Sequence, residues 1–252
     1  MMALAFSLLL AQNPDAFYER GVALFREGKL NEAIGPLEAA VRANPNKPAY
    51  LKALGVVHAA QSNYDLAEPF FRRACEIDLK EEDVCYYLGR ALYALNRFEP
   101  AVPALEKALK VDRQPFRVYL GLAQAQEALG RNEEAEKNFK LAVEKNRSQR
   151  PEDDPRIHYG VFLFRQGRLE EAADVFQKAA RALPQSSRAR YEYGRVLYQT
   201  GKLEEAEKEL KRAVEIQAGN GPAHLLLSKV YNRMGRAADA EKHARLGGQA
   251  VQ

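Results

Sequence analysis

Several residue types that support chemistry or crosslinking are scarce in this chain of 252 residues. It contains two cysteines, four histidines, three methionines and no tryptophan. Two cysteines cannot form a disulfide framework or a four-thiolate zinc site, and four scattered histidines do not make a metal site without help from carboxylates. No uninterrupted apolar run reaches the roughly 18 residues that a membrane-spanning helix requires. We therefore expect no metal site and no integral membrane span.

Sequence motifs of catalysis are missing as well. The chain has no Gly-rich phosphate-binding loop ending in Lys-Ser or Lys-Thr. It also has no nucleophile elbow with a serine between two glycines, and no paired histidines with an intervening glutamate on one helix. Glutamate pairs such as Glu133 and Glu134 open predicted helices, where negative charge favours the helix N-terminus. We expect a non-enzymatic protein that uses no cofactor.

The composition is otherwise that of an ordinary soluble domain, with 46% hydrophobic and 29% charged residues. The formal net charge is +4 and the sequence pI is about 8.9. Proteins that bind nucleic acids usually carry a concentrated basic patch, which this weak excess does not provide. We expect no nucleic-acid partner.

Small residues recur along the chain at a fixed spacing of 34 residues, with one three-residue insertion after the fourth copy. The marker alanines are Ala33, Ala67, Ala101, Ala135, Ala172, Ala206 and Ala240. A second small residue lies before each marker, at Gly21, Gly55, Gly89, Ala123, Gly160, Gly194 and Ser228. A third follows each marker by seven residues. Small side chains at fixed places let neighbouring helices approach closely, because a larger group would clash in a close-packed interface.

A turn residue separates the two halves of each repeat. It is one that tolerates a positive φ or ends a helix at low cost. These residues are Gly28, Ser62, Asn96, Gly130, Gly167, Gly201 and Gly235. The flanking segments have the apolar spacing of helices, so each repeat is predicted to be helix, turn, helix. Such short helix pairs cannot bury their apolar faces alone, and stacking of neighbours must supply the core.

The spacing of 34 residues and the residue types at fixed places in each repeat resemble the tetratricopeptide repeat. Repeat one carries Phe17, Gly21, Leu24, Ala33, Leu37, Ala40 and Pro45. Repeat five carries Tyr159, Gly160, Leu163, Ala172, Phe176, Ala179 and Pro184. The resemblance implies an all-α, right-handed superhelical solenoid of about seven repeats, with the first helix of each lining a concave groove. It also implies a scaffold that binds protein or peptide partners.

The predicted organisation is a short apolar segment at 1–12 followed by a repeat domain at 13–252. The repeats are placed at about 14–47, 48–81, 82–115, 116–149, 153–186, 187–220 and 221–252. The first segment, MMALAFSLLLAQ, is similar to the apolar part of a secretory signal but lacks a basic flank. The alternative is an apolar cap over repeat one. A periplasmic or secreted, bacterial-type protein is therefore expected, with a cytoplasmic one as the alternative.

The two cysteines, Cys75 and Cys85, lie on either side of the turn between repeats two and three. Antiparallel helices would bring them together. In an exported protein they are candidates for a disulfide, because such bonds persist in oxidising compartments. The alternative is two buried free thiols.

The resemblance implies that the inward face of each first helix contacts the ligand. The 35 positions on this face hold nine Lys or Arg and four Asp or Glu, and repeats three and six present the same Tyr-Arg-Tyr set. Arg and Tyr are enriched at binding hot spots, so an acidic peptide is the expected ligand. The alternative is that basic side chains only solvate the groove while tyrosines fill space between helices. The candidate groove residues are Tyr18, Phe25, Arg26, Lys52, Tyr86, Arg90, Tyr93, Arg165, Arg188, Tyr191, Arg195, Tyr198, Lys229 and Arg233, of which Arg90 and Arg195 are expected to be exposed.

A second functional hypothesis is self-association through the terminal repeats. Repeat seven is rich in alanine and glycine, and no separate polar capping helix is apparent after it. Terminal repeats need a soluble outer face. We expect a monomer or weak self-association.

Overall fold

The computed structural model describes residues 13–77, 83–147 and 154–249, and this part of the chain contains fourteen α-helices and no strand. The segment predicted at 1–12 lies outside the described residues. The helices of the first four repeats are α1 (Pro14–Arg26), α2 (Leu30–Ala43), α3 (Pro48–Ala60), α4 (Tyr64–Ile77), α5 (Val84–Ala94), α6 (Phe98–Ala108), α7 (Pro115–Ala128) and α8 (Asn132–Lys145). Those of the last three are α9 (Pro155–Arg165), α10 (Leu169–Ala182), α11 (Ser187–Gln199), α12 (Leu203–Ile216), α13 (Gly221–Arg233) and α14 (Ala237–Gln249). The predicted all-α repeat fold is confirmed.

The helices form two compact units, residues 1–138 and 139–252, and the division falls inside α8. In each unit, the odd-numbered first helices pack against the even-numbered second helices of their own repeat. Most second helices also pack against the first helix of the next repeat. Each unit is therefore a stack of helical pairs, as the repeat pattern predicted.

All seven predicted turn residues adopt a positive φ, from 57° at Asn96 to 80° at Gly201. At the Asn96 turn, the Arg97 N–H donates to the Leu92 carbonyl over 2.8 Å, which satisfies a carbonyl at the end of α5. The sequence did not predict a further positive φ, of 73°, at Asp83.

The closest approach between paired helices occurs at the small residue of the first helix. An ideal Cβ on Gly55 would lie 2.7 Å from the Phe71 ring, and Phe71 is only 1% exposed. The marker alanine Ala67, one turn before Phe71, is fully buried. The equivalent close pairs are Gly21 with Leu37, Gly89 with Leu105, Gly160 with Phe176 and Gly194 with Leu210. These contacts fix the distance between the two helices of a repeat.

One position of the first helix carries a different interaction in each of three repeats. In repeat three it is Cys85, which is disulfide-bonded to Cys75 with a Cα–Cα separation of 5.0 Å. Both half-cystines are only 2% exposed. In repeat six it is Arg190, whose Nη1 lies 2.6 Å from Glu209 Oε2. These contacts tie first helices to second helices.

In repeat seven the same position is His224, whose Nδ1 lies 2.9 Å from the Nδ1 of His243. Its Nε2 lies 3.0 Å from the Ala218 carbonyl, which can only accept, so Nε2 carries a proton. With Nε2 as the donor, Nδ1 is the atom through which the neutral form of His224 accepts from His243. Burial lowers the pKa of His243 below 6.5, and the neighbouring His224 and Lys242 lower it further.

We predict that Gly55→Ala lowers the free energy of unfolding by about 1–3 kcal/mol, because its methyl group would overlap the immobile Phe71 ring. The control is Gly35→Ala in α2, where an added Cβ meets nothing within 4 Å. That change should be neutral or stabilise by up to about 1 kcal/mol through helix propensity. Urea unfolding of the two variants measures both effects. Equal destabilisation by the two substitutions would contradict the close-contact explanation.

We also predict that stability falls on acidification below about pH 6.5. The folded-state pKa of His243 is lower than its unfolded value, so its contribution is fully present above 6.5. It decreases as the pH falls towards the folded-state pKa. Burial lowers the pKa of His58 in α3 as well, and the same sign applies. Thermal unfolding across this pH range should show a weaker pH dependence in His243→Gln than in the wild type. An unchanged slope would rule out this role for the histidine pair.

Candidate functional site

The first helices of unit two carry a strong excess of positive charge. Helices α9, α11 and α13 together contain seven Lys or Arg and one acid, Glu192. Five of the cations are candidates from the sequence, and we call them the basic face. They are Arg165, Arg188, Arg195, Lys229 and Arg233.

Glu192 is buried beneath this face. It is 8% exposed, and its Oε2 lies 2.9 Å from Arg195 Nη2. Burial raises the pKa of the Glu192 carboxyl, against the opposing attraction of Arg195, Arg188 and Arg165. One buried carboxylate therefore faces three guanidinium groups, and the positive charge around it is not balanced.

Aromatic rings support two of the arginines. The Arg195 guanidinium lies 4.2 Å from the centroid of Phe164 on α9, and the Arg233 guanidinium lies 5.0 Å from that of Tyr198 on α11. The Nη1 of Arg233 also donates to the Tyr198 carbonyl over 3.1 Å. Tyr191 is half-buried, and burial is the main reason that its pKa is raised. These contacts join adjacent first helices and leave Arg165, Arg188, Lys229 and Arg233 exposed.

The corresponding Tyr-Arg-Tyr set in unit one differs from the expectation of exposed groove residues. Tyr86 is only 8% exposed, because Arg90 and Arg117 cover it. Arg90 Nη1 donates to the Tyr86 hydroxyl over 3.0 Å, and the Arg117 guanidinium lies 4.4 Å from the ring. Arg117 in turn pairs with Asp83 and Asp112. This set is a charge-balanced cluster within the protein, so Tyr86 is not available as a surface contact.

The other unit-one candidates are spread over α1, α3 and α5. The ring of Tyr18 lies 5.2 Å from that of Tyr50, and the ring of Tyr93 lies 5.3 Å from that of Phe98. Arg26 is exposed in the last turn of α1. The Tyr50 hydroxyl donates to Asp15, and its pKa is raised to about 12, chiefly by burial.

A small pocket in unit one contains the two remaining candidates. Its volume is about 170 Å³, and its walls include Val22, Phe25 and Val56, with Lys52 and Asp83 as charged groups. Full ligand sites are typically at least about 300 Å³, so this pocket suits a single apolar side chain.

Glu192 was not predicted from the sequence, because only the inward positions of the first helices were considered and not the residues beneath them. It also did not show that the positive charge is concentrated in unit two, because the nine cations and four acids were summed over all seven first helices. Counting charge separately for each first helix would have revealed the difference.

Among the described residues, no group of three or more His, Cys, Asp or Glu side chains is arranged to hold a metal ion. No helix in this part of the chain is long and apolar enough to cross a membrane.

Comparisons with known proteins identify the family. A tetratricopeptide repeat model matches residues 3–48, 18–80 and 86–151, and a second tetratricopeptide repeat model matches residues 163–219. Together the matches of the first model cover more than half of the chain. The protein therefore belongs to the tetratricopeptide repeat family, whose members generally mediate protein–protein interactions.

Two curated relatives and one solved structure illustrate the range of similarity. Anaphase-promoting complex subunit 3 of Schizosaccharomyces pombe is 25% identical over 128 residues, which is 51% of this chain and 19% of that protein. Type IV pilus assembly protein PilF of Pseudomonas aeruginosa is 26% identical over 137 residues, 54% of each protein. A tetratricopeptide repeat protein from Parabacteroides merdae has a TM-score of 0.72 at 17% identity, with 95% of this chain and 93% of that one covered. The chain thus spans about a fifth to a half of these curated relatives, and the structural similarity supports the fold alone.

We predict that Arg195→Ala lowers the free energy of unfolding by roughly 1–3 kcal/mol, because it leaves the buried Glu192 carboxylate without its nearest partner. The matched control is Arg188→Ala, which removes an exposed cation from the same helix and should change stability little. Adding Glu192→Gln to Arg195→Ala should restore part of the loss. Thermal or urea unfolding of the four proteins tests this. Equal stability of both arginine variants would show that the buried pair does not stabilise the fold.

Proposed function

We propose that this protein is a non-enzymatic interaction module that binds an acidic peptide or acidic protein segment on the basic face of unit two. The observation that carries the proposal is the charge of α9, α11 and α13, whose single acid is buried under arginines. Three of the cations, Arg165, Arg188 and Lys229, are exposed on three adjacent first helices.

The chemistry of the face suits carboxylates. Arg guanidinium groups make paired, charge-assisted hydrogen bonds to carboxylates, and aromatic rings hold two of them in place. Because Arg195 and Arg233 are restrained before a ligand arrives, less side-chain entropy is lost on binding. The charge-balanced cluster around Tyr86 in unit one offers no comparable excess.

We test the proposal with Arg188→Glu combined with Lys229→Glu. A fluorescently labelled peptide rich in Asp and Glu should bind at least about tenfold more weakly to this variant, because two charge-assisted contacts become repulsive. Fluorescence anisotropy at low and high salt measures the affinity, which should fall as salt increases.

The matched control is Arg181→Glu combined with Lys208→Glu, which reverses two exposed cations on the second helices of the same unit. This control should bind the peptide nearly as well as the wild type. If both double variants lose affinity equally, the peptide responds to net charge alone and the assignment to the basic face fails. Circular dichroism checks that all variants keep their helicity.

We further propose that the protein operates in an oxidising compartment, because the Cys75–Cys85 bond would not persist in a reducing cytosol. Thiol labelling of the denatured protein purified from its native host tests this. No label before reduction and two labels after it would support the proposal, whereas two labels without reduction would contradict it.

A second candidate function is self-association through the last helical pair. Leu225 on α13 is 41% exposed, and Leu246 on α14 is 37% exposed. The position that Leu210 fills in repeat six is occupied by Ala244, so this pair presents small residues beside exposed leucines. A light-scattering mass that rises with concentration in the wild type, but not in Leu225→Glu, would favour this function.

A further inference from the structure

Ion pairs between successive repeats occur at the same register in both units. In unit one, Oε2 of Glu68 on α4 lies 3.6 Å from Nη1 of Arg97, which precedes α6 in repeat three. In unit two, Oε1 of Glu207 on α12 lies 3.0 Å from Nη1 of Arg236, which precedes α14 in repeat seven. The two acids hold one position of the repeat and the two arginines hold another. Each pair therefore joins the second helix of one repeat to the turn of the next.

Both acids also have a cationic partner one turn later on their own helix. Arg72 Nη2 lies 2.6 Å from Glu68 Oε1, and Lys211 Nζ lies 2.7 Å from Glu207 Oε1. The Glu68 and Glu207 side chains are only 12% and 14% exposed. A local partner therefore does not prevent these carboxylates from bridging to the next repeat.

Repeat seven carries the first two members of this three-residue arrangement. Glu241 on α14 holds the position of Glu68 and Glu207, and Arg245 follows one turn later, with its Nη2 3.4 Å from Glu241 Oε1. Within the described residues no repeat follows α14 to supply the third member. The Glu241 side chain is 72% exposed, in contrast to its two buried equivalents.

Repeat one carries the cation of the arrangement. Lys29 precedes α2 and holds the position of Arg97 and Arg236. Its Nζ lies 2.8 Å from Glu27 Oε2, and the two side chains are 50% and 56% exposed. Arg236 has a similar local partner, Asp239, 2.7 Å from its Nη2, while it also bridges to repeat six. The acidic and basic halves of the bridge between repeats therefore lie on the last and the first described repeat.

An apolar contact between repeats has an equivalent pair in the same two terminal repeats. Ile157 on α9 and Ala189 on α11 belong to one buried cluster at the junction of repeats five and six, and they are 3% and 0% exposed. The residues at these positions in repeats seven and one are Leu225 on α13 and Ala16 on α1. Leu225 is 41% exposed, and Ala16 is half-buried. The aliphatic residue and the alanine are thus buried together inside unit two but left partly uncovered in the terminal repeats.

The position of α1 that faces a preceding repeat is open as well. In repeat seven this position is Tyr231, which is 1% exposed and donates to Glu207 of repeat six over 3.1 Å. Its equivalents Leu92 and Leu197 are each 1% exposed. In repeat one it is Leu24, which is only half-buried. Repeat one therefore presents apolar surface at a place that is covered in later repeats.

We propose that copies of this chain associate head to tail, with repeat seven of one copy stacked on repeat one of a second copy. Leu225 packs on Ala16 of the second copy, and Glu241 pairs with its Lys29. The complementary charges at the register of the internal bridges select a second copy as the occupant. The inference rests on the second candidate function, self-association through the last helical pair, and it names the surface that receives this pair.

The contact is heterologous, because it joins two different surfaces of the same chain. A dimer of this kind still carries one open repeat one and one open repeat seven. Association therefore continues beyond the dimer unless the open ends meet.

The test compares self-association of the full-length wild type, Lys29→Glu, Glu241→Lys and the variant with both changes. Light scattering over a range of concentrations at low salt measures the dissociation constant. Each single change should raise this constant at least about threefold, because like charges then face each other across the junction. The double change exchanges the two charges and should restore the wild-type value. A mixture of the two single variants should also associate, since each supplies the charge that the other lacks.

The matched control is Lys202→Glu. Lys202 holds the position of Lys29 in repeat six, is exposed, and is likewise the residue before a second helix. The same charge reversal at this internal repeat should leave self-association unchanged. Binding of the acidic peptide is measured in parallel and reports on the basic face alone, so failure of one proposal is distinguished from failure of the other.

Head-to-tail stacking is overturned if Lys29→Glu associates as tightly as the wild type while Leu225→Glu does not. Repeat seven would then use another surface of the second copy, and only the second candidate function would stand. Failure of the double change to restore association would also overturn the proposed pairing. A monomer at every concentration would overturn both ideas and leave residues 1–12 or a partner protein as the occupant of repeat one.

Discussion

The close contact between the two helices of each repeat is the constraint on which the rest of the structure depends. In repeats one, two, three, five and six, a glycine on the first helix faces a Phe or Leu on the second, and there is no room for a Cβ between them. The marker alanines nearby are almost fully buried for the same reason. Because this distance is fixed, the first helices within each unit present the same positions to the same side. Charged and aromatic side chains at those positions therefore lie side by side on adjacent helices and form a continuous surface.

Charge is divided between the faces, most strongly in unit two. The first helices there carry seven cations to one acid, and the second helices carry ten acids to seven cations. The basic face holds its arginines on Phe164 and Tyr198, and it hides its single acid, Glu192. In unit one, Arg117 is instead paired with Asp83 and Asp112, and Arg90 donates a hydrogen bond to the Tyr86 hydroxyl. A repeat protein can thus keep the same helical fold in every repeat while its unbalanced positive charge is concentrated on a few first helices.

One position of the first helix tolerates very different chemistry. A disulfide, an ion pair and a pair of imidazoles occupy it in repeats three, six and seven. All three tie a first helix to a second helix, across the junction of repeats two and three for the disulfide and within repeats six and seven for the other two.

The sequence by itself determined the repeat, the all-α fold and the seven positive-φ turns, because these depend on local spacing and on residues such as Gly28 and Asn96 whose backbone preferences are intrinsic. It also indicated a basic set of first-helix positions. Only the tertiary structure decided which of these are available, since Tyr86 is covered by side chains from its own helix and from the next repeat. The surroundings of the buried Glu192 also depend on more than one repeat, since its carboxylate interacts with Arg165 of the preceding repeat as well as with Arg195. Such contacts join residues far apart in the chain, and no local pattern specifies them.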